Sequence, residues 1–451
     1  MVNKNAVMKN TKLLYILGLL VSMYSCEKNN DLSDKADSIY SVAENGMKPL
    51  LAYDIDEKYK TELWVQKGGF GNDNNQIIFQ VAPDILDSLN KEDGTSYQLL
   101  PEDCYSLTMP EVGFTKEDRL LAGELTYDPT KIASLSGYNT VRYVLPLQAK
   151  ATNGKLNPER DRIILAFEVA QPIVTIANGG FQHVDINTIK LLPVEIAVPF
   201  TNKWNIICKL KNDQSLVDEY NASNNTFFAL LPTDQYVAPA KIELKEGENS
   251  SVVNYQLSDD LLPGNYLLPV QIDEIDATIG GKPTDVLIPD TKTSILYALI
   301  KEGNKVDKSA WSIVSATTEE PTGEGVGNGK AIHLIDGNNE TFWHSKWSGG
   351  NTPLPYEIVI DMKQNVHVAQ IELLPRGRGS NNPLQLVRFE GSMDNSKWEN
   401  LGSFAFANQD KPLVYAVKST KCRYIKLIIP DEGGNQRVAA IRELDVRGVA
   451  L

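Results

Sequence analysis

The chain has 451 residues, 42% of them hydrophobic, which is enough for packed cores and for about three domains of ordinary size. It carries 44 basic against 58 acidic residues, a net charge of −14. That balance argues against a phosphate-backbone ligand, because nucleic-acid binders present a basic footprint.

The first 25 residues read as a targeting segment. Lys9 and Lys12 precede the short apolar run Leu13 to Val21, too short to span a bilayer as a helix, and Met8 is an equally good start. The following Ser22-Met23-Tyr24-Ser25-Cys26 resembles a bacterial lipobox, with Met23 and Tyr24 departing from its usual pattern. That resemblance implies a signal peptide over 1–25, lipid attachment at Cys26 and a location on the outer membrane. The polar tether 26–37 opens with Glu27-Lys28-Asn29-Asn30-Asp31, similar to the export tag of Bacteroidota surface lipoproteins. Several acyl chains, each methylene worth about 0.8 kcal/mol, give stable anchoring.

A repeat occupies the middle of the chain. Leu86-Asp87-Ser88-Leu89-Asn90 and Tyr97-Gln98-Leu99-Leu100-Pro101-Glu102-Asp103-Cys104-Tyr105 recur as Val217-Asp218-Glu219-Tyr220-Asn221 and Phe228-Ala229-Leu230-Leu231-Pro232-Thr233-Asp234-Gln235-Tyr236. A later pair, Tyr143-Val144-Leu145-Pro146-Leu147 and Tyr266-Leu267-Leu268-Pro269-Val270, follows at a slightly shorter offset. A repeat of this size means two tandem domains, placed at 38–172 and 173–303. Short apolar runs predict strands at Ile77–Val81, Asn205–Leu210 and Arg162–Val169, separated by turn residues, so each copy is expected to be an Ig-like β-sandwich. Residues 84–90 read as a helical turn. Asp103 and Asp234 are expected to cap turns, and Trp64 and Trp204 to pack in cores. Cys104, Cys208 and Cys422, with no CxxC spacing, read as buried free thiols. The repeat motifs resemble domain of unknown function 1735, found in tandem in Bacteroidota surface lipoproteins.

The last third, 304–451, opens with a Gly-rich segment, Gly323 to Lys330, expected to be a surface loop and not a phosphate cradle. Strands are predicted at Tyr356–Asp361, Ala369–Leu374, Leu386–Ser392 and Tyr424–Ile429. Three further segments stand out: Leu334-Ile335-Asp336-Gly337-Asn338-Asn339-Glu340-Thr341-Phe342-Trp343-His344-Ser345-Lys346-Trp347, then Leu374-Pro375-Arg376-Gly377-Arg378-Gly379-Ser380-Asn381-Asn382, then Met393-Asp394-Asn395-Ser396-Lys397-Trp398. Together they resemble the discoidin, or coagulation factor five/eight type C, domain, and more closely its sugar-binding branch, the family 32 carbohydrate-binding modules. The resemblance implies an all-β chain ending in a discoidin-type jelly roll.

It also implies residue roles. His344 would accept from a sugar hydroxyl, Arg376 with Asn381 or Asn382 would bracket neighbouring hydroxyls, and Trp343 would be core. A guanidinium fork donating to two vicinal oxygens is sound chemistry for a diol. The stretch before Ala439-Ala440 lacks the aromatic residue that family members use for stacking, so either Trp347 supplies the platform or Arg437 makes a different contact. The family's structural calcium site maps to Asp336, Asn338, Thr341 and Glu443, an oxygen set that suits this cation.

The expected function is therefore glycan capture at the cell surface, of a galactose-type or other saccharide, with an outer-membrane importer as partner. A protein-binding adhesin or assembly subunit is the alternative. A glycoside hydrolase accessory is a further alternative, and an enzyme is disfavoured. Asp273-Glu274-Ile275-Asp276 is the nearest acidic cluster, no HExxH or GxSxG occurs, and the domains are too short for an eight-stranded barrel.

Overall fold

A computed structural model of the chain describes residues 38–69, 75–108, 113–138, 140–377, 382–433 and 438–451. The chain is all-β and forms two compact units, one ending at Pro172 and the other running from Ile173 to Leu451.

The first unit is a sandwich. One sheet runs, edge to edge, Tyr105–Thr108, Leu120–Tyr127, Tyr59–Gly68, Ile39–Val42 and Lys155–Leu156. The other runs Gly46–Tyr53, Arg162–Ala170, Tyr143–Ala151 and Ile77–Val81. Side chains alternate across each strand, so Leu63 and Val65 are buried while Trp64 between them faces outward and is 38% exposed. The expectation that Trp64 packs in a core fails for that reason. Trp204 is buried, edge-on to Phe200.

The second sandwich repeats this strand order. Tyr236–Val237, Ser250–Leu257, Leu191–Ala197, Ile173–Ile176 and Ile288–Pro289 form one sheet, and Gly180–Val184, Ser294–Lys301, Gly264–Ile279 and Asn205–Lys211 form the other, extended at its edge by Ile242–Leu244. The helical turn anticipated at 84–90 is a longer helix, Pro83–Asp93, and its counterpart is Gln214–Asn224. Both end in a left-handed residue, Gly94 at φ +64° and Asn225 at φ +51°. One asparagine then fixes each exit. Asn90 Oδ1 accepts from Tyr97 N (2.8 Å) and its amide donates to Tyr97 O (2.9 Å); Asn221 does the same with Phe228, at 2.9 and 2.8 Å.

The third sandwich is one hydrogen-bonded sheet wrapped around its own core. Its order is Asn304–Lys305, Ala440–Ala450, Tyr356–Pro375, Leu413–Ile429, Leu386–Ser392 and Glu399–Ala405. Trp343, Tyr356, Phe389, Leu427 and Leu444 lie at its centre. The two strands predicted at 356–361 and 369–374 are one, because a bulge after Asp361, with Lys363 at φ +62°, bends the chain without ending it. In the hairpin at 392–398, Asn395 sits at φ +57° and the Asp394 carboxylate accepts from Ser396 and Lys397 N–H. Cys104, Cys208 and Cys422 are buried free thiols.

The second and third sandwiches are tied together by polar contacts. Asn265 N donates to Ser419 Oγ (2.8 Å), its side-chain amide donates to the Ala369 and Val417 carbonyls, and Tyr266 Oη lies 2.7 Å from His367 Nε2. Among the described residues no helix is long and apolar enough to cross a membrane.

Candidate functional site

At one end of the third sandwich, three segments converge on a carboxylate that sequence reasoning missed. The first is the loop from Glu320 to Gly329. The Glu320 carboxylate accepts from the backbone N–H of Gly323, Trp347 and Ser348, at 2.9, 3.0 and 2.7 Å. Those bonds pull its pKa down to about 2. They also fasten the Gly-rich loop to the segment carrying Trp347. A Cβ at Gly323 would stand 2.6 Å from Trp347 Cζ2, so glycine is what lets the indole lie over the loop. The segment 323–330 is a surface loop, as expected, exposed at Gly323, Gly325, Val326, Gly327 and Lys330 and tied to the site through Glu324.

Glu324, on that loop, is the hub. Its Oε1 accepts from the Trp347 indole N–H (2.8 Å), and its Oε2 accepts from Arg376 Nη2 (2.9 Å). His344 Nε2 stands 3.6 Å from Oε1. His344 Nδ1 is 2.6 Å from the Ser345 carbonyl, which accepts only, so this nitrogen carries a proton and Nε2 is the ring atom turned to Glu324. The Arg376 guanidinium lies over the Phe342 ring, 4.0 Å from its centroid, and among the described residues only Glu324 holds it by a hydrogen bond. Trp347 remains 44% exposed, whereas His344 is 3% exposed. The site therefore presents a flat aromatic face, a guanidinium with free donors and a carboxylate, with the imidazole buried beside them.

The backbone explains these positions. Trp343–His344 forms a two-residue strand on Ala440 and Ile441, which buries Trp343 completely and fixes His344 beside it. Asn382 clamps the same Ala440: its amide donates to the carbonyl at 2.7 Å and its Oδ1 accepts the N–H at 3.3 Å. Both polar ends of Asn382 are thereby engaged, and it holds the frame of the site. Asn408, also missed, pins the Arg376 loop by exchanging hydrogen bonds with Gly377 N and O, at 3.1 and 2.8 Å. Asn381, Arg378, Arg437 and Cys26 lie outside the described residues.

The residues expected to hold calcium also gather. Asp336 Oδ1 accepts from Asn338 N (2.9 Å), and Thr341 Oγ1 lies within 3.0 Å of both Asp336 oxygens and 2.8 Å from the Asn338 carbonyl. Burial, reinforced by the neighbouring Asp336 carboxyl, pushes the Glu443 pKa up to about 7 even though Lys308 sits on Oε2. Glu443 Oε1 is buried without a hydrogen-bond partner. Two carboxyls, a hydroxyl and loop carbonyls form an all-oxygen set, and an orphaned buried carboxylate oxygen fits a hard cation. Among the described residues no three acidic, histidine or cysteine side chains converge on one point, so carbonyls have to complete the shell.

A family model for the F5/8 type C domain matches residues 314–444. The last third of this chain belongs to the discoidin family. A second model, for an N-terminal domain, matches twice, over 34–156 and 162–279, together more than half of the chain, which belongs to that family too, in two tandem copies. The chain is similar to a sialidase from Micromonospora viridifaciens, 28% identical over 145 residues, or 32% of this chain and 22% of that protein. A galactose oxidase from Gibberella zeae is 26% identical over 181 residues, 39% of this chain and 25% of the oxidase. The chain thus spans a quarter or less of the length of these relatives. Among solved structures, the C-terminal domain of a chitobiase from Bacteroides fragilis is 65% identical, covering 33% of this chain and 99% of that one, at a TM-score of 0.33.

Proposed function

We propose that the protein is a non-catalytic, lipid-anchored glycan-binding protein of the outer membrane, with the discoidin domain holding the sugar and the two tandem sandwiches as its spacer. The observation that carries this reading is the convergence of Trp347, Glu324, His344 and Arg376. A pyranose offers an apolar C–H face for the indole, and vicinal hydroxyls for a guanidinium and a carboxylate. The chain is similar over part of its length to a sialidase and a galactose oxidase, both named for carbohydrates, which supports a galactose-type or other saccharide ligand. Calcium on Asp336, Asn338, Thr341 and Glu443 would stiffen the loop that leads to His344. Cys26 would carry the lipid, and an outer-membrane importer would be the partner for uptake.

One small pocket with a few hydrogen bonds should bind a monosaccharide at about 0.1–1 mM, roughly −4 to −5.5 kcal/mol. Many copies on one membrane would raise the apparent affinity. A glycan array followed by calorimetry on the full chain tests the site. Arg376→Ala and Trp347→Ala should each weaken binding by about 10- to 100-fold, the equivalent of losing one charged hydrogen bond or one stacked face, with the melting temperature unchanged. Wild-type affinity in both variants would remove the site from this reading. Binding to a protein that survives its deglycosylation would favour an adhesin.

A further inference from the structure

The outward face of the first sandwich carries a tryptophan that its fold does not use. Trp64 lies in mid-strand in Tyr59–Gly68, 38% exposed, between the buried Leu63 and Val65. Its neighbours across the sheet are small. Ala122 stands directly opposite on Leu120–Tyr127, and on the other side Ala43 N donates to the Trp64 carbonyl at 2.8 Å. Two alanines leave the indole uncovered. The second sandwich is an internal control. Tyr105 pairs with Tyr127 as Tyr236 pairs with Leu257, and counted from that shared corner the strand registers put Glu195, opposite Val252, where the first copy has Trp64 opposite Ala122. The same sheet therefore forms without an aromatic residue at this position.

The polar residues beside the indole are uncommitted. Glu62 and Gln66 sit two positions before and after Trp64, on the same face and about 6.5 Å away along the strand. Among the described residues no side-chain hydrogen bond or ion pair holds either of them. Glu62 also stands directly opposite Glu124, a like-charge pairing that costs the sheet stability, and Lys60 relieves it on the Glu124 side, at 2.8 Å. Leu120, diagonal to Trp64 and 53% exposed, extends the apolar surface.

We propose that this face is a second carbohydrate site, for interior units of a neutral, β-1,4-linked polysaccharide with equatorial hydroxyls. An open sheet face has no walls to enclose a chain end, so it takes a chain lying across it. A pyranose with equatorial substituents turns a flat C–H face to the indole and sends hydroxyls out at both edges, where the Glu62 carboxylate accepts and the Gln66 amide accepts and donates. The β-1,4 linkage keeps successive rings extended, so the next unit meets Leu120. A protein's apolar surface is a poorer occupant, because it would bury Glu62 without a donor. Two carboxylates beside the platform, on a chain of net charge −14, repel acidic polysaccharides.

Calorimetry on the full chain carrying Trp347→Ala, which weakens the Glu324 site, tests this with cellohexaose, maltohexaose and polygalacturonate. Cellohexaose should bind. The α-linked maltohexaose, whose chain coils, and the acidic polygalacturonate should bind about tenfold more weakly or not at all. Adding Trp64→Glu, the side chain that the second sandwich accepts at this position, should abolish cellohexaose binding, and Glu62→Ala should weaken it about tenfold. Trp64→Tyr, which keeps a flat ring, should retain it. Trp64→Glu alone should leave cooperative thermal unfolding and galactose-type binding at the Glu324 site intact, which separates failure here from failure of the proposed function. No cellohexaose binding in the Trp347→Ala chain, equal binding of maltohexaose, or cellohexaose binding that survives Trp64→Glu would overturn the proposal. So would a dimer in sedimentation that Trp64→Glu dissolves, since the face would then belong to a second copy of this chain.

Discussion

At the scale of single residues, the site depends on contacts that no motif announces. Glu324 is legible in the sequence only as one acid in a Gly-rich loop, yet it joins Trp347, Arg376 and the edge of His344. Its importance is tertiary, because the three groups come from segments up to 52 residues away. Removing its charge with Glu324→Gln should weaken sugar binding by about tenfold and leave Arg376 free to swing, as an ordered-to-disordered change in the Arg376 Nε–H NMR signal would register. Gly323 makes a sharper test, because it touches no ligand. Gly323→Ala places a methyl where the Trp347 ring lies, so calorimetry should find binding weakened about tenfold, while thermal stability falls by less than about 1 kcal/mol. An unaltered affinity would show that Trp347 does not stack on the ligand.

Elements show which parts of the pattern are local. The exits of the two helices are written in the repeat itself, since Asn90 and Asn221 occupy matching positions and make matching bonds to Tyr97 and Phe228. Each asparagine satisfies backbone groups that a turn would otherwise leave bare, so Asn221→Ala should cost about 1–3 kcal/mol in a urea titration. The loop from Asp336 to Thr341 is equally local in its hydrogen bonds, but its partner Glu443 arrives from the last strand. If calcium sits there, chelator should lower the melting temperature of the wild type and have no effect on Glu443→Gln, in which one ligand charge is gone. A chelator effect of equal size in both proteins would place the cation elsewhere.

Across the second unit as a whole, the junction of sandwich and discoidin domain sets a pH dependence. Burial holds the His367 imidazole below its ordinary value of 6.5, and Tyr266 Oη lies against its Nε2. The folded protein thus prefers the neutral ring. The stability this contributes is present above pH 6.5 and is lost as pH falls through the depressed folded value. Melting temperatures between pH 7.5 and 5 should fall more steeply for the wild type than for His367→Gln, which has no ring to protonate. Parallel curves would mean that His367 titrates alike in the folded and the unfolded chain, so that its burial sets no pH dependence.

The sequence by itself determined the β class and the duplicated sandwich, because these are carried by alternation, turn chemistry and a repeat at nearly fixed offset, and it carried the discoidin domain through motif segments that resemble that family. It misjudged Trp64, whose place on an outward-facing position is decided by strand phase. It left unseen Glu324, Asn408 and the bonds that Asn382 makes to Ala440. Those were decided by tertiary structure alone: a hydrogen bond between distant segments has no period in the sequence, and exists only once the sheets have brought the segments together.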